Sequence, residues 1–378
     1  MNTEVANELS FAIEAKLLID TLKVVGGIIE NTQVIPILSH VKFEVSDGIL
    51  TAMASDSEIE MTASTSIESG CDQAFTLAVS CKKLLDICKT FSGPDLVKFS
   101  YSDGWLKVQS QQSKFMLATL SATHFPKIHV EDNASTWTIS SKVLQKLIQN
   151  TAFSMAEQDV RFFLNGLHMS IDKDFIHVAA TDGHRLASAE SNTKINCAKP
   201  YQFIIPRKTT LTLSRILSGL DEELMITQTN SHISIACQQF SMTSNLLEGS
   251  KIDCQQLIPD KKMATSIDIK RDILKQALSR AAILSHEKFR GTKVNFSDNC
   301  MTIQANNAEQ EKTEENIPVI YNDEPLEMAF NINYLQELLN TLKEEVLTWY
   351  FLPEKGNVLV EENDQDAKFI YVVMSMHI

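Results

Sequence analysis

The sequence predicts an α+β fold made of three copies of one unit of about 125 residues, each with two helices packed on antiparallel strands. Three sets of anchors carry that prediction. Hairpin-like stretches, LSHVKFEVSDGILTAMASD, LNGLHMSIDKDFIHVAATD and RGTKVNFSDNCMTIQANN, alternate apolar and polar residues on both sides of a polar turn. They end at Asp56, Asp182 and Asn307, separated by 126 and 125 residues. Residues where a strand runs into a helix, Val79, Ile205 and Phe330, repeat at the same 126 and 125. A strand phenylalanine late in each unit, Phe115, Phe240 and Phe369, repeats at 125 and 129. One period in three independent features implies three similar domains, each of ordinary domain size.

Boundaries fall in the polar, proline-bearing stretches SATHFPKIHVEDN and EGSKIDCQQLIPDKK, giving domains over 1–126, 127–252 and 253–378. Helices are expected twice in each, over 13–24 and 80–90, 140–151 and 206–217, then 269–281 and 331–343. Leu and Ile recur in these windows at three- and four-residue spacing, which leaves one polar face. Ser or Asn stands ready as a cap before several of them, and Pro206 suits a first-turn position.

Composition excludes several classes. A chain of 378 residues that is 44% hydrophobic and 22% charged can bury sizeable cores and is not disordered. No apolar run approaches the roughly 20 residues of a membrane span, and the N-terminus lacks a basic-then-apolar leader, so a cytoplasmic protein is expected. The cysteines are odd in number, scattered and without Cys-x-x-Cys, and the histidines are dispersed; neither a disulfide framework nor a metal site is indicated. His168 and His177 could share a sheet face, but polar strand residues explain them better than a metal pair. No glycine-rich phosphate loop appears, so no cofactor is expected.

The charge distribution is more informative than its sum. Net charge is −14, yet the six helix windows hold 15 basic residues against 5 acidic ones. Lysines that merely solvate a helix usually alternate with acids, whereas the two windows of the second unit carry five basic residues and no acid. A positive element inside an acidic body draws a polyanion to one place and repels it elsewhere. With no basic arm, zinc finger or RNA-binding aromatic motif, the contact implied is with phosphates, independent of base sequence.

One stretch, ATDGHRLA over 180–187, sets Asp182, His184 and Arg185 beside Gly183. It reads either as an acid/base cluster of a hydrolase or as a turn that shapes a binding surface. Together with FSMAEQDVRFFLNG (153–166), PRK (206–208), RAAILSHEKFRG (280–291) and ANNAEQE (305–311), it resembles the bacterial sliding clamps, the beta subunits of DNA polymerase III. The resemblance runs essentially end to end. It implies a non-enzymatic, head-to-tail dimeric ring of six similar domains, with helices lining a hole around duplex DNA. Partners implied are DNA polymerase subunits, a clamp loader and other proteins carrying a clamp-binding peptide. A diverged accessory clamp is the alternative within the family.

The same resemblance turns ATDGHRLA into one wall of a peptide pocket and the C-terminus into the other. The pocket residues implied are Leu164, Thr181, Gly183, His184, Arg185, Leu186, Leu257, Val372, Val373, Met374, Ser375 and Met376. Leu, Val and Met supply an adaptable apolar socket, with His184 and Arg185 at its rim. DNA would be met by Lys82, Lys146, Gln158, Arg207, Lys208 and Arg215, and the dimer interface would hold Lys83, Phe115, Ile283 and Leu284, although core packing also explains the last two. This chain departs from the family pattern at Thr32, where relatives carry a DNA-touching arginine. It departs again at Ile252, Gln255 and Gln256 in the linker and at Ser375 and His377 in the tail. These changes leave ring and fold untouched and bear on peptide preference and strength of DNA contact.

Overall fold

The computed structural model describes residues 9–30, 35–69, 74–130, 133–197, 199–249, 252, 254–258, 260–352 and 356–377. Thr32 lies outside them. All three expected hairpins form: His40–Ser46 with Ile49–Ser55, Gly166–Ile171 with Ile176–Thr181, and Gly291–Ser297 with Cys300–Asn306. Each is antiparallel, with the apolar members of the alternation buried, such as Phe43, Val178 and Phe296.

The helices are α1 (Ala15–Gly26), α2 (Cys81–Cys88), α3 (Ser141–Thr151), α4 (Arg207–Ile216), the short α5 (Cys254–Leu257), α6 (Arg271–Ile283) and α7 (Ile332–Thr341). Six of them match the periodic windows. In α1 the buried residues are Ala15, Leu18, Thr21, Leu22 and Val25, the three- and four-residue spacing that makes one apolar stripe. In α7 they are Ile332, Leu335, Leu338 and Leu339.

Each long helix starts straight from a strand, so its first N–H needs a partner beyond its own turn. In five of the six a backbone carbonyl from elsewhere supplies it. Asp95 accepts from Ala15 at 2.9 Å, Glu222 from Ser141 at 2.9 Å and Glu345 from Arg271 at 2.9 Å, one equivalent bond in each repeat. For the second helix of a repeat, Asn165 accepts from Arg207 at 2.9 Å and Arg290 from Ile332 at 2.7 Å. Side-chain caps are therefore less used than the sequence suggests. Asn331 does cap α7 by accepting from Asn333, but Ser80 makes no such bond ahead of α2. Pro206 closes the strand before α4 instead of opening the helix, and Phe240 lies just ahead of the strand Ser241–Asn245, not within it.

Packing divides the chain into two compact units, one of residues Met1–Ser141 with Arg215–Leu246, the other of Lys142–Ser214 with Leu247–Ile378. The first unit holds a 12-stranded sheet; the second holds an 8-stranded and a 4-stranded sheet. The middle repeat is thus shared out. Its strand Ser241–Asn245 pairs with Ile59–Ser66 of the first repeat, and its strand Arg185–Ser191 pairs with Ala367–Met374 of the third. An unpaired strand edge leaves a row of backbone donors and acceptors unsatisfied, and joining edges between repeats removes that cost.

Candidate functional site

In the second unit, the turn Thr181–Arg185 is built by its own side chains. Asp182 Oδ1 accepts the N–H of His184 at 2.9 Å and of Arg185 at 3.1 Å. Thr181 Oγ1 donates to the Arg185 carbonyl at 2.5 Å and accepts the Gly183 N–H at 3.0 Å. Gly183 has φ +89°, a left-handed conformation that glycine adopts without strain, and the Arg161 guanidinium packs where a side chain would stand. The first repeat uses the same device: Asp56 Oδ1 accepts the N–H of Glu58 at 2.9 Å and Ile59 at 2.7 Å. A carboxylate so committed shapes a turn.

Arg185 corrects one expectation. Only 8% exposed, it is an internal strut and no part of a polar rim. Its guanidinium donates to Asp182 Oδ2 at 3.0 Å, to Glu337 Oε2 of α7 at 2.6 Å and to the Phe153 carbonyl at 2.6 Å. It also lies 4.3 Å from the centre of the Tyr334 ring and 5.4 Å from that of Phe153. Beside it Arg161 holds Asp159 through paired bonds of 3.0 and 2.9 Å, which keeps the Asp159 carboxyl down at about 2. Of the predicted rim only His184 is exposed.

Strand alternation sorts the remaining pocket residues. Leu186 pairs with Val372 and Arg185 with Val373, so the two pairs point to opposite faces of the sheet. Leu186 and Val372 join Ala179, Leu352 and Leu359 in one apolar cluster, against which Ile252, Ile258, Tyr350 and Ile370 pack. Val373 goes with Arg185 on the other face, a separation that follows from the two-residue period. The sequence reading missed Leu352, Leu359, Ile258 and Tyr350, although the alternation of VLTWYFL and NVLVEEN could have pointed to the first two.

The tail follows the same sheet edge. Met374, 44% exposed, donates its N–H to the His184 carbonyl at 2.9 Å. Ser375 donates to Gly356 at 2.6 Å and Met376 to Ala329 at 2.8 Å, so the last residues join the 8-stranded sheet to the free edge of the 4-stranded one. Leu257 stands 45% exposed on α5, and Leu164 is buried at the end of the segment that Arg161 and Arg185 tie to the turn.

The basic residues differ in their surroundings. Lys82 is exposed on α2. Lys146 of α3 contacts the Asp364 carboxylate and lies 3.8 Å from that of Asp366. Arg207 donates to the Met155 carbonyl at 3.1 Å and lies 3.8 Å from Glu157, while Lys208 beside it is half-buried. Gln158 is exposed with φ +57°. Arg215, in the first unit, lays its guanidinium over the backbone of Gly27, where any side chain would collide with it.

Of the interface candidates, Ile283 is 78% exposed, which rules out core packing for it, and Leu284 is half-buried. Phe115 stands edge-on to Phe91 with ring centres 6.2 Å apart, and Lys83 is exposed.

Comparison with known proteins agrees along the whole chain. Family models described as the N-terminal, central and C-terminal domains of the DNA polymerase III beta subunit match residues 9–129, 138–251 and 255–377. The beta sliding clamp of Pseudomonas aeruginosa is 34% identical over 373 residues, covering 98% of this chain and 100% of that protein. The beta sliding clamp of Vibrio cholerae is 35% identical over 370 residues, with the same coverage of 98% and 100%. A crystal structure of the P. aeruginosa clamp bound to griselimycin superposes with a TM-score of 0.91 at 34% identity, covering 98% of this chain and 100% of that one.

Proposed function

The chain belongs to the DNA polymerase III beta subunit family, and from that premise we propose that it is a DNA sliding clamp, a ring-shaped homodimer that encircles duplex DNA and tethers polymerases to it. The observation that carries this reading is the coincidence of three family domains, in order, with three structural repeats. The domains 1–126, 127–252 and 253–378 are its repeating units.

Ring closure has a physical basis in two strands. Ser113–Leu120 pairs with Trp105–Ser110 along one edge, but meets the strand Phe75–Ser80 only through Thr119 and Leu120. Lys312–Pro318 is the outer strand of the 4-stranded sheet. Pairing these two edges between copies would satisfy both. Exposed Ile283, with Leu284, Phe115 and Lys83 alongside, supplies the apolar and polar contacts of that seam.

DNA is held by charge at Lys82, Lys146, Arg207, Lys208 and Arg215, with Gln158 contributing a polar contact. Such contacts read phosphates and not bases, so the ring can slide. Partner proteins dock a short peptide over the cluster around Leu186 and Val372, walled by the Thr181–Arg185 turn, Leu257 and the Met374–Met376 tail. A clamp loader opens the ring onto DNA. No cofactor and no catalysis enter this reading: Asp182 is committed to its turn and to Arg185, and nearby Asp159 to Arg161. Acting on DNA, the protein works in the cytoplasm; no described helix is long and apolar enough to cross a membrane.

The decisive experiment measures retention on nicked circular DNA after loading with a clamp loader and ATP. A clamp stays on the circle and leaves once the DNA is linearised. Tight, base-sequence-dependent binding to linear DNA would overturn the reading.

A further inference from the structure

We propose that Asp364, backed by Asp366, is a built-in counter-charge that holds Lys146 of α3 back from DNA phosphates and so sets how loosely the ring grips the duplex. The inference rests on the reading that α3 faces DNA. By sequence α3 is purely basic, carrying Lys142 and Lys146 and no acid. By structure the Lys146 ammonium already has carboxylates: Asp364 in direct contact and Asp366 at 3.8 Å. Only 27% of the Lys146 side chain is exposed, so this group does not wave freely in solvent.

The acid is held in place as firmly as the base. Asp364 sits in the turn between the strands Asn357–Asn363 and Ala367–Met374. Its Oδ1 accepts the N–H of Asp366 at 2.9 Å and of Ala367 at 2.9 Å, which fixes Oδ2 toward Lys146. The contacts with Lys146 and with these two N–H groups keep its carboxyl below the usual range against the opposing effect of partial burial.

The cations assigned to DNA therefore fall into two kinds. Lys82 is exposed and makes no ion pair among the described residues. Lys146 can reach a phosphate only by leaving a carboxylate. A partly exposed ion pair is weak and exchanges readily, so the pair damps the contact without abolishing it. That suits a ring that must slide, because each undamped phosphate contact adds to the grip.

The test uses the full-length protein with Asp364→Asn. Asparagine keeps the Oδ1 acceptor that the turn needs and removes the charge. Binding to a fluorescently labelled linear duplex is titrated between about 50 and 200 mM salt. A whole phosphate contact is about 0.9 in log–log slope, or about 3.5-fold in the ratio of affinities across that range, so relieving a damped one steepens the salt dependence by a measurable part of that and no more. Asp366→Asn, changed at a site 75% exposed, moves the same way but less, which guards against a folding defect in the first variant. Adding Lys146→Gln to Asp364→Asn cancels the gain. An unchanged titration for Asp364→Asn overturns the proposal, as does a gain that survives Lys146→Gln, since the aspartate would then act as a distant charge. If neutralising Arg207 and Lys208 still weakens binding, only the counter-charge falls; if that too changes nothing, the assignment of these helices to DNA falls with it.

Discussion

Arg185 and Glu337 stand 152 residues apart in the chain and 2.6 Å apart in space. Their bond ties the Thr181–Arg185 turn, the proposed wall of the peptide site, to helix α7 of the third repeat. Arg185→Ala should therefore lower stability by about 2–3 kcal/mol, the scale for losing charge-assisted bonds at a buried site. Thermal unfolding and peptide titration, run together, check this. A loss of peptide affinity with unchanged stability would show Arg185 to be a peptide contact instead of a strut.

Leu186 is buried in the apolar cluster over which the peptide site is proposed. Leu186→Ala should cost about 2–5 kcal/mol and weaken peptide binding, while deletion of the last five residues should weaken binding with a smaller loss of stability. Together the two changes should remove peptide binding and leave DNA encirclement intact. Normal peptide affinity in the combined variant, by calorimetric titration, would refute the site.

Peptide chemistry should differ from that of relatives. Ser375 keeps the N–H and the rotational freedom that a proline would lack, and His377 can be neutral where an arginine would stay charged. The apolar anchor of a peptide, Leu or Phe, should dominate, with little gain from acidic neighbours. Titrating paired peptides with and without acids tests it, and a strong, salt-sensitive preference for the acidic member would contradict it.

Ile283 is exposed in the single chain and should be covered in the dimer. Replacing Ile283 and Leu284 together with charged residues should yield a folded monomer by sedimentation velocity. An unchanged dimer would place the seam elsewhere.

Neutralising Arg207 and Lys208 should slow loading and shorten retention on nicked circles without altering the dimer. The effect should shrink as salt rises, because screening weakens the contacts it removes. Equal retention across a salt series would exclude these two residues from DNA contact.

Burial pushes the imidazoles of His168 and His177 below their usual range. A lowered folded-state value means that the unfolded chain binds the proton first. Stability is then fully present above about pH 6.5 and declines as pH falls, by at most about 1.4 kcal/mol per pH unit for each histidine. Denaturant titrations from pH 7.5 to about 5 should show the decline, and His168→Gln with His177→Gln should flatten it.

The repeat, six of the helices, the three hairpins and the turn at Asp182 are legible from the residues alone. All of these are encoded within a few residues: a 3.6- or two-residue apolar period, or an aspartate that accepts the N–H groups two and three positions on. The sequence also identified the basic helices. Which neighbours those elements acquire is settled by folding in three dimensions. Strand pairing splits the middle repeat between two sheets, because edges seek partners wherever the chain brings one, and no local period records which edge that is. Strand alternation sends Arg185 and Val373 to one face and Leu186 and Val372 to the other, once register is fixed. The same pairing brings the Asp364 turn to Lys146, turning a lysine that reads as a bare positive charge into half of an ion pair. Charge along a sequence counts residues, whereas charge at a surface depends on what folding sets beside each one.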